Sequence, residues 1–281
     1  SGADVELVTS RFLYGPVPAE DGYRVNEAFY RRSADPGPDA PARRAFTLAV
    51  GIPLAAVRLA QMRQAPDAAV YWGNLLEPDL SDIPADLRQD SFTRWPAAAC
   101  PPDTGVKCDM LARKCFDVSF NSAAQIDRFG NLNSTVIGEY AEPKTRLPGS
   151  GGACEIAAHA KSTFVMAKAS PRSFVERLDF RTSAGFLGGA GERANTAARG
   201  QGPMIVITDF GVLTPLPSQE LAVSALFEGV DFGQAKKMVG WDLQRHARID
   251  TLEPPSAHEL NVLRALQQRT QAAHQTRVFP V

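Results

Sequence analysis

The sequence predicts an α/β fold, an open and mostly parallel sheet with flanking helices, and three observations carry that expectation. Short apolar runs at residues 116–120, 163–166 and 204–208 are bounded by Gly, Asp or Asn clusters, as buried parallel strands are. Runs at helical spacing, 54–64 and 155–161, lie among them. The stretch Phe46-Thr47-Leu48-Ala49-Val50, then Gly51-Ile52-Pro53, then the run from Leu54 reads as strand, turn and helix, the opening of an α/β unit.

Composition agrees with a globular chain. With 281 residues, 44% hydrophobic and 22% charged, it can bury one large core or two small ones. Thirty basic against 31 acidic side chains leave no overall field to draw nucleic acid or an anionic membrane, so neither is expected as a partner. No run approaches the ~20 apolar residues that span a bilayer, and the start lacks a basic-then-apolar signal pattern, so a cytoplasmic location is expected. Ser1-Gly2 reads as the scar of a cleaved tag. The cysteines Cys100, Cys108, Cys115 and Cys154 follow no metal-ligand spacing, so no metal site is expected, and they read as small buried hydrophobes.

Along the chain, residues 1–45 form an irregular leader containing the linker-like Asp35-Pro36-Gly37-Pro38-Asp39-Ala40-Pro41, and residues 46–281 form the main domain. Ser256 followed by Glu259 is a capping-box signature ahead of Leu260, Leu263 and Leu266, predicting a terminal helix. The Gly/Ala/Arg-rich segment 185–202 reads as a mobile surface loop.

Two segments concentrate chemistry. In Gly149-Ser150-Gly151-Gly152-Ala153, three glycines let the backbone turn sharply and approach a ligand, and amides at the following helix start point outward at a positive dipole end. Such a loop can hold an oxyanion; an ordinary tight turn ahead of a helix explains the same spacing. In Ala124-Gln125-Ile126-Asp127-Arg128-Phe129-Gly130-Asn131-Leu132-Asn133-Ser134-Thr135, amides, carboxylate and hydroxyls follow a strand, where open α/β sheets bind ligands. The plainer reading, which the residues favour, is a hairpin turn built on Asp127, Gly130 and Asn131. Cys154 at a helix start is a conceivable nucleophile, but it reads rather as a packed small residue, and His159 lies too far along the helix to pair with it.

Taken together, the run from Ala124-Gln125-Ile126-Asp127 through Gly130-Asn131-Leu132-Asn133-Ser134-Thr135, Ile137-Gly138, Pro143-Lys144-Thr145-Arg146 and Gly149-Ser150-Gly151-Gly152-Ala153 resembles the β subunits of class I coenzyme A transferases, glutaconate CoA-transferase in particular. The resemblance extends to Gly51-Ile52-Pro53-Leu54, Ala65-Pro66-Asp67, Thr182-Ser183-Ala184-Gly185, Ile207-Thr208-Asp209-Phe210-Gly211-Val212 and Gly240-Trp241-Asp242-Leu243, covering about residues 46–270. It implies a CoA-transferase-like fold and an active site shared with an α-type partner subunit in a heterodimer or heterotetramer. Coenzyme A would be part of the substrate, with no permanently bound cofactor. In that family a β-subunit glutamate attacks the acyl-CoA, and the glycine loop supplies the oxyanion hole. The resemblance therefore gives Gly151, Gly152 and Ala153 the oxyanion role, and gives CoA or substrate contacts to Gly149, Ser150, Ser122, Ala123, Asn131, Asn133 and Trp72.

The sequence departs from this pattern in two places. Counting from Ala65-Pro66-Asp67 puts Gly73 at the glutamate position, or Trp72 after a shift of one; Glu77 would need a slip of four or five. Asn121-Ser122-Ala123 stands where the family has two glycines, which should reshape the acyl pocket. Glycine and tryptophan cannot form the anhydride and thioester of covalent transfer. The expected activity is therefore a glutamate-less acyl-CoA hydrolase or C–C lyase or decarboxylase. Its base would come from the partner or, through water, from Gln125, Asp127 or Asn133. A genuine CoA-transferase using Glu77 and a non-catalytic structural subunit are the alternatives.

Overall fold

The computed structural model describes residues 116–252 and 254–261, Leu111, three positions of the terminal helix, and the backbone of four earlier strands. The chain gathers into two compact units, Ser1–Lys107 with Pro254–Val281, and Cys108–Glu253, a division that no composition shift in the sequence marks.

In the first unit, β1 (Phe46–Leu48) pairs parallel with β2 (Ala69–Trp72), and β2 pairs antiparallel with β3 (Leu75–Pro78), Trp72 opposite Leu75. Strand β4 (Ala98–Cys100) lies antiparallel to β3. The leader, the run 54–64, Gly73, Cys108 and Cys115 fall outside the described residues. The terminal helix begins at Ala257, and its capping box forms: Ser256 Oγ meets Glu259 Oε2 at 2.7 Å, and the Ser256 amide donates to the same carboxylate. Leu260 is buried, whereas Leu263 and Leu266 lie outside the described residues.

The second unit opens with β5 (Val118–Asn121), followed by a hairpin of β6 (Gln125–Ile126) and β7 (Leu132–Asn133) and a two-stranded ladder of β8 (Val136–Ile137) and β9 (Thr145–Arg146). Helix α1 (Ala153–His159) leads into β10 (Ser162–Met166) and then β11 (Pro203–Ile207). Strands β5, β10 and β11 run parallel, and each is mostly buried, which is why their sequences are continuous apolar runs with no alternation. The sheet continues antiparallel through β12 (Gly211–Pro215) and β13 (Leu221–Phe227), which β14 (Gln244–Leu252) joins in parallel. Helix α2 (Phe232–Lys237) precedes β14 and is capped by Asp231 and Gln234 in a reciprocal capping box.

An apolar cluster lies within this unit, with Ile126, Leu132, Val165, Phe174, Val206, Leu213, Val223 and Trp241 all buried in it. Phe174 and Trp241 stack with ring centroids 5.9 Å apart. Because Ile126 and Leu132 belong to this cluster, the small hairpin between them is fixed to the body of the unit.

Segment 185–202 departs from the mobile loop that its composition predicts. It contains a 3-10 turn at Glu192–Asn195, and Arg193 within it is only 5% exposed. The Arg193 side chain donates to the carbonyls of Ala184, Gly185 and Gly200, at the two ends of the segment, and to those of Ala157 and Ala158, some 35 residues away, and a local compositional reading registers neither set.

Candidate active site

Strand β6, the turn and β7 form the expected hairpin. Its turn closes with Gly130 donating to the Asp127 carbonyl at 2.9 Å, and Gly130 takes a left-handed φ of +66° that favours glycine. The Asp127 carboxylate is buried and accepts three hydrogen bonds: from the amides of Phe129 and Asn131, each at 3.0 Å, and from Asn131 Nδ2 at 2.8 Å. Burial raises its pKa above the ordinary carboxylate value, and these donors oppose that rise.

Asn131 is saturated as well. Its Oδ1 accepts from the amides of Gly185 (2.8 Å) and Leu187 (3.1 Å), while its Nδ2 donates to Asp127 and to the Leu187 carbonyl at 2.8 Å. Asn131 thus grips both polar groups of Leu187, which holds a left-handed φ of +60° that a leucine adopts only under such constraint. At Gly185 a side chain would run into the backbone of Gly130, so the two segments meet main chain to main chain.

Gln125 and Asn133 pair across the hairpin, Asn133 Nδ2 to Gln125 Oε1 at 2.7 Å. Gln125 Nε2 continues to Asp179 at 3.0 Å, and Asp179 also accepts from the Gly138 amide at 2.9 Å. Asn133 Oδ1 accepts from the amides of Thr135 and Val136. The polar side chains that made this segment look chemical therefore spend their hydrogen-bonding capacity on holding the chain. Asp127 accepts three hydrogen bonds, and Gln125 and Asn133 each bond to neighbouring groups of the chain, so all three hold the hairpin in place.

The glycine loop has the opposite character. Its base is tied down: the Gly149 amide donates to the Ser134 carbonyl, and Ser134 Oγ donates to the Gly149 carbonyl, both at 2.9 Å. Thr182 Oγ1 accepts from the Ser134 amide at 2.9 Å and lies 2.7 Å from Thr135 Oγ1. Above that base, Gly149 and Gly151 take φ values of +94° and +48°, and a side chain at either would meet nothing within 4 Å. Their glycines are thus required by backbone conformation and not by crowding. The amides of Gly151 and Gly152 have no partner among the described residues.

Ala153 is the exception in the expected oxyanion set. Its amide donates to the Ser150 carbonyl at 2.7 Å, and its carbonyl accepts from Asn121 Nδ2 at 3.2 Å. Asn121 ends β5 and is 6% exposed, so it ties the start of α1 to the end of a central parallel strand, a position sequence reasoning passed over. Its neighbours Ser122, exposed, and Ala123, half-buried, lie beyond the strand end.

Cys154 donates its thiol to Glu155 Oε2 at 2.7 Å. Burial first, and then the Glu155 hydrogen bond and negative charge, push its pKa up, so it stays a thiol. His159 sits in the last turn of α1, its Nδ1 buried and without a partner among the described residues. Trp72 closes β2 and Glu77 lies within β3, both in the other unit. Among the described residues, no three His, Cys, Asp or Glu side chains gather to hold a metal, and no helix is long and apolar enough to cross a membrane.

The far end of α1 is held by Arg193. Its Nη2 donates to the Ala157 carbonyl at 2.5 Å and to that of Ala158 at 3.3 Å. Nη1 reaches the carbonyls of Ala184 (3.0 Å) and Gly185 (2.8 Å), and Nε that of Gly200 (3.1 Å). No carboxylate pairs with it among the described residues, and burial lowers its pKa from the ordinary guanidinium value. The sequence signal for it was one of two arginines, Arg193 and Arg199, within a glycine-rich stretch.

The coenzyme A transferase family model matches residues 109–230, the region that holds the hairpin, the glycine loop and α1. Over 227 residues the chain is 36% identical to the β-type subunit of 3-oxoadipate CoA-transferase from Pseudomonas knackmussii, covering 80% of this chain and 87% of that one. The chain belongs to the coenzyme A transferase family. Among solved structures, the glutaconate coenzyme A-transferase of Acidaminococcus fermentans superposes with a TM-score of 0.71 at 25% identity, covering 95% of this chain and all of the other. The decarboxylase AibA/AibB shares the fold, with a TM-score of 0.69 at 20% identity over 89% of this chain and 95% of that one. The α/β, CoA-transferase-like architecture expected from the sequence is the one found.

Proposed function

We propose that this chain is the β-type subunit of a heteromeric CoA-transferase-like enzyme, and that the amides of Gly151 and Gly152 bind the thioester oxygen of an acyl-CoA. The observation that carries the reading is the pair of amides at Gly151 and Gly152 without partners among the described residues, beside open space at Gly149 and Gly151 and on a base tied to Ser134. Donors fixed before the reaction stabilise negative charge as it develops on that oxygen, by about 2.7–4 kcal/mol each. The relatives by sequence are β-type subunits of their enzymes, which supports an α-type partner completing the site.

For the reaction, the reading places Gly73 at the family glutamate position and so favours hydrolysis or C–C cleavage over covalent CoA transfer. A base on the partner deprotonates water; the hydroxide adds to a carbonyl β to the thioester, the Cα–Cβ bond breaks to release that carbonyl as a carboxylic acid, and the bond's electrons pass into a thioester enolate held by the two amides, which takes the proton back from the base at Cα. Giving the base to the partner follows from the commitment of Asp127, Gln125 and Asn133 to the chain itself. CoA is substrate here and no resident cofactor is invoked. The second reading, a true transferase using Glu77, is favoured by the transferase names of the relatives.

Intact-mass measurement of the chain with its partner, after incubation with dicarboxylyl- and β-keto-acyl-CoAs, tests this. Product without an adduct on this chain is expected. A mass gain of CoA on this chain would establish covalent transfer instead and point to Glu77.

A further inference from the structure

We infer that Arg193 is a positioning residue for the reaction, one that fixes helix α1 from behind and thereby sets the place of the Gly151 and Gly152 amides. The inference rests on the reading of that loop as the thioester-oxygen site, but its structural half stands on different observations. Helix α1 spans only Ala153–His159, so the glycine loop at its head and the Ala157 and Ala158 carbonyls near its tail belong to one short rigid piece. The head is held through Asn121 to the Ala153 carbonyl and through Ser134 to Gly149. The Ala157 and Ala158 carbonyls at the tail are held by segment 184–200: Arg193 takes both, and the amides of Arg199 and Gly200 each donate to Ala158 at 2.8 Å.

Arg193 is suited to this work because its five N–H donors lie in one plane and spread over five carbonyls from three stretches of chain, at 157–158, 184–185 and 200. Three of those carbonyls belong to a segment that the buried Asn131, itself held by Asp127, grips at Gly185 and Leu187. The chain of support runs from the hairpin turn, through segment 185–187, through Arg193, into α1 and out to the loop. A fixed positive charge near the carbonyl end of α1 also favours the helix itself. Lysine offers a point charge with three donors on a flexible stem and cannot bridge the same set.

The test uses the reconstituted complex of this chain with its partner, with Arg193→Met and Arg193→Lys. Two readouts are taken: hydrogen exchange of peptides covering 149–158 and of β12–β13, and kcat and KM with a β-keto-acyl-CoA. For Arg193→Lys we expect exchange at least tenfold faster at 149–158 with β12–β13 unchanged, and kcat reduced about tenfold with KM within threefold. Arg193→Met should carry the kcat loss to roughly 100-fold, the size expected when a catalytic group is misplaced by about 1 Å. Should Arg193→Met fail to fold, Arg193→Lys alone decides. Unchanged exchange at 149–158 in the lysine variant overturns the inference and leaves the loop's role intact. Faster exchange with unchanged kcat also overturns it, and removes the loop from catalysis as well.

Discussion

The β6–β7 hairpin and the glycine loop lie side by side in this fold and divide its polar chemistry unequally. The hairpin carries Gln125, Asp127, Asn131 and Asn133, and each side chain is bonded to the protein itself. The loop carries almost no side chains, yet it keeps two main-chain donors without partners among the described residues. A dense run of polar side chains therefore marks a place where the chain is tied together, whereas capacity to bind is found where hydrogen-bonding groups are left over.

That contrast can be broken or sharpened by substitution. The largest effect should come from Gly152→Pro, which deletes one free amide at a position whose negative φ of −92° a small backbone shift brings into proline's range. A loss of about 10²–10³ in kcat is expected, while the urea unfolding midpoint stays close to that of the parent; retained kcat would show that the amide binds nothing in the transition state.

Asn131→Ala should do the reverse. Deleting it leaves the Asp127 carboxylate and the Leu187 and Gly185 main-chain groups underbonded in a buried place, for a loss of about 3 kcal/mol in unfolding free energy. Turnover per folded complex should change far less than stability. A variant as stable as the parent would mean that the knot is not what fixes the turn.

A pH series separates the regions further. The folded pKa of Asp127 is raised, chiefly by burial, so the folded state holds this proton more tightly than the unfolded chain does. Its contribution to stability is complete below the unfolded value and is lost as pH rises through the raised folded value. Unfolding free energy measured from about pH 4 to pH 8 should therefore decline upward through that window in the parent relative to Asp127→Asn, which has no proton to lose. Parallel curves would show the carboxylate to be fully offset by its three donors.

The smallest effect is expected at Cys154. With its thiol held protonated by burial and Glu155, alkylation by iodoacetamide at neutral pH should run slower than for an ordinary exposed cysteine, and Cys154→Ser should keep turnover within about twofold. Rapid labelling with loss of activity would put Cys154 into the chemistry after all.

What the sequence made legible follows from how local each cause is. The strands at 116–120, 163–166 and 204–208 were readable because buried parallel strands need only be continuously apolar, and they appear as β5, β10 and β11 with ends shifted by one or two residues. The turn at Asp127, Gly130 and Asn131 was readable because its chemistry is contained in five residues. Segment 185–202 was not, because glycine, alanine and arginine in a row describe a flexible chain until one knows that Arg193 has five carbonyls waiting for it. Asn121 was missed for a similar reason: its partner lies 32 residues away. The glycine loop was visible as a pattern, but the unequal commitment of its amides, with Ala153 bonded and Gly151 and Gly152 not, is a matter of geometry alone.

The meeting of Asn131 with Gly185, 54 residues apart, also sets a timetable. During synthesis the hairpin emerges with its central amide only half bonded, because the groups that complete it have not yet been made. At ribosomal rates of about 5–20 residues per second, that interval lasts roughly 3–10 s. Until then the Asp127 carboxylate has no reason to leave water, so the turn that looks most self-sufficient in the finished molecule has to wait for a segment made some fifty residues later.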